Sequence, residues 1–169
     1  DGLECDRNGK VSGVWTTMVD LSERRLAEEA LKESEERFRS VVEHSHEGIL
    51  IVDDAFRFIY CNDELADMLG YPYVEIMGQD FRKFLDDESR RIVADRYVRR
   101  QKGEDVPPRY EFNIVRKDGE KRRVEISSAV IKDSNGKTRT VAEIMDITER
   151  KKAEEALRES EEKYRTLTE

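Results

Sequence analysis

Residues 20–43 read DLSERRLAEEALKESEERFRSVVE and residues 146–169 read DITERKKAEEALRESEEKYRTLTE, a repeat offset by 126 residues with 14 of 24 aligned positions identical. That offset is one whole domain plus a connector, far longer than the roughly 20–50 residues of a solenoid repeat. Upstream, Asp6-Arg7-Asn8-Gly9-Lys10 echoes Asp133-Ser134-Asn135-Gly136-Lys137 at an offset of 127. The repeat therefore predicts four parts: the closing hairpin of a preceding unit at 1–19, a linker helix at 20–43, a complete unit at 44–147 and an outgoing linker helix at 148–169. The chain opens at Asp1 without a methionine or a signal-peptide apolar region, so it is expected to be a piece of a longer protein.

Both repeat copies carry a helical signature. Ala27, Leu31, Ser34, Phe38 and Val41 step by 4, 3, 4 and 3, and Ala153, Leu157, Ser160, Tyr164 and Leu167 keep the same spacing with no Gly or Pro between them. This is a heptad-like seam, which predicts a coiled-coil homodimer. Asp20 with Glu23, and Asp146 with Glu149, place a capping acceptor three residues ahead of a glutamate. Asp20 and Asp146 are thus predicted to start the two helices, and Asp146 is expected to pair with Arg150 and help carry a signal across the joint.

Composition narrows the function classes. Hydrophobic residues make up only 37% of the 169 and charged residues 41%, and the longest aliphatic run is Ile49-Leu50-Ile51-Val52, so a membrane-spanning chain is excluded. A net charge of −8 argues against nucleic-acid binding, which needs a basic face. Charges fill 27 of the 48 repeat residues but only 43 of the other 121, so the excess belongs to solvated helix faces. Two cysteines, Cys5 and Cys61, without a CxxC, form neither a disulfide framework nor a zinc site, and point to a reducing, cytoplasmic compartment.

Between the linkers, strands are expected at 48–53 and 56–61 around a tight turn at Asp53-Asp54-Ala55. Asn62 and Asp63 start a helix that Gly70 and Pro72 end, short helical pieces follow at 73–77 and 81–85, and a longer helix spans 87–102 with Ile92, Val93, Tyr97 and Val98 on its apolar side. After Pro107-Pro108 the period changes to two: Tyr110, Phe112 and Ile114, then Val124, Ile126, Ser128 and Val130, with a last strand at 140–147. Two strands, helices, then three strands imply an α+β fold, an antiparallel sheet with helices gathered on one face.

These residues resemble the PAS domain family. The resemblance rests on Ser45-His46-Glu47-Gly48-Ile49-Leu50-Ile51-Val52-Asp53, Ile59-Tyr60-Cys61-Asn62, Leu69-Gly70-Tyr71, Gly78, Arg116-Lys117-Asp118-Gly119 and Asp146-Ile147-Thr148-Glu149-Arg150, in this order, over residues 44–148. It implies a five-stranded antiparallel sheet in the order 2-1-5-4-3, a small interior cavity and signalling through flanking helices. The repeated linker resembles those joining tandem PAS units in multidomain sensor histidine kinases, which implies neighbouring PAS and output domains in the same chain. Flavin-binding members carry a cysteine where this sequence has Phe81, and haem-binding members a histidine on the long helix, where 87–102 has none.

The chemistry expected of the segment itself is modest. No GxSxG, HExxH, P-loop or dinucleotide fingerprint occurs, so no catalytic residue is assigned. His44 and His46 lack the companions a metal site needs, Cys61 reads as a small buried hydrophobe and Asn62 as a helix cap. A small-molecule pocket would be lined by Ile51, Ile59, Met68, Met77, Phe84, Ile92, Phe112, Ile126 and Ile144, which otherwise fill the core. The expectation is a cytoplasmic sensory and dimerisation module without a cofactor, its rivals a flavin or haem sensor and a ligand-free spacer.

Overall fold

The structure is a computed structural model that describes the backbone of residues 2–5, 11–15 and 18–168 and the side chains of residues 21–167. The chain divides into two compact units that meet in sequence at Val41 and Val42. In the first, strand β1 (Gly2–Cys5) pairs antiparallel with β2 (Val11–Trp15), and helix α1 (Met18–Glu43) follows, its last two residues belonging to the second unit. The helix starts two residues earlier than predicted. Residues 6–10 and the side chains of Val14, Trp15, Met18 and Asp20 lie outside the described residues. Along α1, Arg24 pairs with Glu28 at 2.9 Å and Arg37 with Glu33 at 2.8 Å, exposed i,i+4 contacts that each support the helix by a few tenths of a kcal/mol.

In the second unit, β3 (Gly48–Val52), β4 (Phe58–Cys61), β5 (Arg109–Val115), β6 (Lys121–Lys132) and β7 (Thr138–Asp146) form one antiparallel sheet in the order β4-β3-β7-β6-β5. Counted within the unit, that is the expected order 2-1-5-4-3. Over one face lie α2 (Asp63–Leu69), α3 (Tyr73–Ile76), a 3-10 turn (Phe81–Phe84) and α4 (Asp87–Gln101), and α5 (Thr148–Thr168) leaves after β7.

Local chemistry fixes the joints. The Asp53 carboxylate accepts hydrogen bonds from the Ala55 and Arg57 amides at 2.9 and 2.8 Å and closes the β3–β4 turn, in which Phe56 takes the left-handed φ of 66°. For that reason β4 begins at Phe58, two residues later than expected. Helix α2 ends at Gly70, φ 72°, where an added Cβ would meet the Arg116 guanidinium at 3.4 Å. Arg116 in turn donates to the Met68 carbonyl at 3.1 Å, so the Arg116-Lys117-Asp118-Gly119 turn clamps the helix end. On α4 the buried stripe is Ser89, Val93 and Tyr97, spaced by four; Ile92 and Val98, expected inside, are exposed. Both sheet edges are covered: Phe58 exchanges backbone hydrogen bonds with Gly78 and Gln79 beside β4, and Asn113 on β5 donates to the Ser89 hydroxyl.

Candidate functional site

The inner sheet face and the helices over it enclose a cavity of about 60 Å³. The space equals roughly two water molecules. Leu50 and Val52 of β3, Phe58 of β4, and Ala142 and Ile144 of β7 form its floor, and Leu65, Leu69, Val93 and Phe81 form its roof. Phe81 packs edge-on against Tyr97 at 5.4 Å, and Phe56 lies 4.7 Å from the same ring. The Tyr97 hydroxyl donates to the Asp53 carbonyl, and burial, aided by Asp53, pushes its pKa up to about 12. Arg100, Tyr110, Ser128 and Thr140 complete the wall, whose accessible surface is almost wholly apolar, and Gln101 donates to the Thr140 hydroxyl at 2.8 Å.

Of the nine pocket residues expected from sequence, Phe112, Ile126 and Ile144 line the cavity. Met68, Met77 and Phe84 belong to the surrounding core without reaching it. Ile51, Ile59 and Ile92 require correction. Ile51 lies opposite Val141 on the other sheet face, while Ile59 and Ile92 are 41% and 39% exposed. Side chains alternate along a strand, and an unbroken Ile-Leu-Ile-Val run carries no sign of which parity faces in. Leu50, Val52 and Phe58 occupy the places assigned to their neighbours. Ser128 carried a legible signal, a polar residue in register with the inward positions Val124 and Ile126.

Two hydrogen-bonded joints lie at the ends of this unit, one at Val42 and one at the start of α5. Asn62 is 2% exposed and caps α2 by accepting from the Leu65 amide at 3.1 Å. The same oxygen accepts from the Ile49 amide at 2.8 Å, and its amide group donates to the Val42 and Glu47 carbonyls at 3.0 Å each. A residue expected only as a cap thus ties Val42, the 44–48 segment, β3 and α2 together within the second unit.

At the outgoing joint Asp146 accepts from the Thr148 amide at 2.9 Å and from Arg122 at 3.1 Å. Burial alone would raise the Asp146 carboxyl, but Thr148 and Arg122 outweigh it and hold it below its ordinary value. The expected Asp146–Arg150 pair is not formed: Arg150 sits 3.8 Å from Glu154, because β6 brings Arg122 to the carboxylate first. Thr148 accepts from the Arg123 amide at 2.9 Å, buried Ile147 donates to the Arg123 carbonyl at 2.9 Å, and Lys151 reaches Glu111 of β5 at 2.9 Å. The first turn of α5 is therefore held by both β5 and β6.

Farther out the helices present their apolar seam to solvent. Leu31, Phe38 and Val41 of α1 are 61–68% exposed, Leu157, Tyr164 and Leu167 of α5 63–74%, and Ala27 and Ser34 are exposed as well. His44 and His46 are exposed, and among the described residues no group of three or more His, Cys, Asp or Glu is arranged to hold a metal. Cys61 is a free, buried thiol. No helix of the described residues is long and apolar enough to cross a membrane.

The profile of a family described as PAS domain matches residues 46–149. A methyl sulfide methyltransferase-associated sensor of Methanosarcina acetivorans is 32% identical over 134 residues, which cover 78% of this chain and 13% of that protein. Sporulation kinase E of Bacillus subtilis is 27% identical over 146 residues, 86% of this chain and 19% of the kinase. The chain thus spans less than a fifth of the length of these curated relatives. Among solved structures, a sensory box histidine kinase/response regulator from Burkholderia thailandensis superposes with a TM-score of 0.59 at 23% identity, covering 77% of this chain and 98% of that one, a likeness of fold.

Proposed function

The chain belongs to the PAS domain family, and from that premise we propose that it is the sensory and dimerisation module of a multidomain signalling protein, a sensor histidine kinase, whose state passes through α1 and α5 to neighbouring PAS and output domains. The observation that carries this reading is the seam. The same spacing of apolar and small residues recurs in both helices at one offset, and in both it is turned to solvent. On this reading two copies pair in parallel along these helices, in the cytoplasm. The module itself catalyses nothing and binds no nucleic acid.

The cavity is where a small molecule would act on the module. Its 60 Å³ suit a ligand of a few heavy atoms, against the roughly 300–1,000 Å³ of pockets that hold drug-sized molecules, and Phe81 leaves no thiol for a flavin adduct. Light scattering of the protein at ~100 μM, well above a micromolar dissociation constant, should return a dimer, and Leu31→Glu with Leu157→Glu should return a monomer. A monomeric parent chain at that concentration would overturn the dimer.

A further inference from the structure

The geometry points to an uncharged apolar molecule of roughly two to four heavy atoms, the size of a small alkane, as the ligand of the cavity. The inference rests on the proposal that the cavity is a receptor site and adds the chemical class. The polar side chains that reach the wall spend their hydrogen bonds on the protein. The Tyr97 hydroxyl donates to the Asp53 carbonyl, and the Thr140 hydroxyl accepts from Gln101 at 2.8 Å. Arg100 turns its guanidinium to the Pro107 carbonyl at 2.9 Å, and the Ser128 hydroxyl lies 3.5 Å from the Pro108 carbonyl. What is left facing the space is almost wholly apolar.

A ligand with a charge or a hydrogen-bonding group would lose its water here and find no partner in exchange, a cost that the contacts of so few atoms do not offset. A water molecule in a buried site likewise needs about two to four polar partners, which this wall does not supply. An apolar molecule gives up nothing of the kind. It gains van der Waals contact with Leu50 and Val52 of β3, Val93 of α4, Ile126 of β6 and Ile144 of β7. Ala142 sets how much room there is. It is 2% exposed on β7, opposite Leu50 on one side and Ser128 on the other, and all three residues line the space. A larger side chain at Ala142 would occupy the volume that the ligand needs.

The test titrates the full chain with propane under pressure, with ethanol and with acetate, molecules of like size, and follows side-chain methyl signals by NMR. Propane should shift the methyl signals of Leu50, Val52, Val93, Ile126 and Ile144 and bind at least about tenfold more tightly than ethanol, and acetate should leave those signals in place. Ala142→Leu, which fills the space, should abolish the propane shifts. Val93→Ala, which enlarges the space and guards against overpacking in the first variant, should admit benzene as well. Ethanol or acetate binding as tightly as propane would overturn the apolar class while leaving the cavity a receptor. No binding of any of the three up to about 10 mM would overturn the receptor reading as well. Propane shifts that survive Ala142→Leu in folded protein, or a folded Val93→Ala protein that takes up no benzene, would place the ligand elsewhere and overturn the assignment.

Discussion

Asn62 uses both lone-pair directions of its oxygen and both hydrogens of its amide on four different backbone groups, so no other residue type can replace it. Asn62→Asp keeps the shape and the cap but turns two donors into a carboxylate facing the Val42 and Glu47 carbonyls. The cap is kept, but leaving buried carbonyls without their donors costs ~1–3 kcal/mol, so the unfolding free energy should fall by about 1–3 kcal/mol. Urea denaturation measures it, and an unchanged midpoint would refute the fourfold role. The cap is legible from sequence because it sits just before a helix. The other three bonds are not, since their partners lie 13 to 20 residues away and only the fold brings them in. Beside it, burial pushes the Cys61 thiol up to about 11, with Asp63 adding to the effect. A neutral thiol is favoured in the folded state, so its contribution to stability is intact below the unfolded value near ~8.5 and is lost as pH rises through the folded one. Peptide mapping after iodoacetamide treatment at neutral pH should find Cys61 labelled roughly a hundredfold more slowly in native than in urea-unfolded protein. Comparable rates would mean that the thiol is neither buried nor protonated.

Helix α4 owes its place to Asp86, which caps it through the Ser89 amide at 2.9 Å and binds Asn113 of β5 and Lys121 of β6 at 3.1 and 3.2 Å. Burial alone would raise this carboxyl, yet the bonds from Ser89, Asn113 and Lys121 outweigh it and hold it well below the usual carboxylate range. A depressed carboxyl contributes stability that is present above the unfolded value of ~3.9 and lost as pH falls toward the folded one. Asp86→Asn should therefore lower stability by ~1 kcal/mol or more at pH 7 and flatten its fall between pH 5 and about 3. Urea midpoints at three pH values decide the matter, and parallel curves for the two proteins would remove Asp86 from the acid response. At this scale the sequence was most readable where period and punctuation agree. Gly70 ended α2, and the alternation in β5 and β6 put Phe112, Ile114, Val124 and Ile126 inside. It was least readable where apolar residues run on without a break. In β3 only pairing with β7 decides that Leu50 and Val52 face the helices, and on α4 the sheet beneath selects Val93 over Ile92. Val130 shows the same dependence: its register is inward, but β6 outruns β5 there and leaves it 36% exposed.

For the molecule as a whole, β5, like β6, touches both the cavity and the outgoing helix. Tyr110 and Phe112 face the cavity, and between them Glu111 points to the opposite side of the sheet, where Lys151 of α5 holds it at 2.9 Å and Arg123 at 3.3 Å. The Lys151 contact, helped by Arg123, keeps the Glu111 carboxyl below its ordinary value. A small displacement of β5 on filling the cavity would thus move a carboxylate that grips the first turn of α5. The grip itself is weak, since half-exposed ion pairs contribute ~0.2–1 kcal/mol. Weakness suits a lever, because a contact of several kcal/mol would hold the helix in one place whatever the cavity contained. Glu111→Gln removes the charge and leaves the inner face of β5 intact, so thermal stability should change little. Amide exchange in the first turn of α5 should instead quicken by about two- to fivefold, the same energy expressed as local opening. The same increase should develop in the unaltered protein as acid protonates Glu111, and the variant should lack that pH dependence. Exchange at residues 150–154 that is identical in the two proteins across pH 4 to 7 would show that Thr148 and Ile147 alone fix the helix, and would remove Glu111 from the route between cavity and linker.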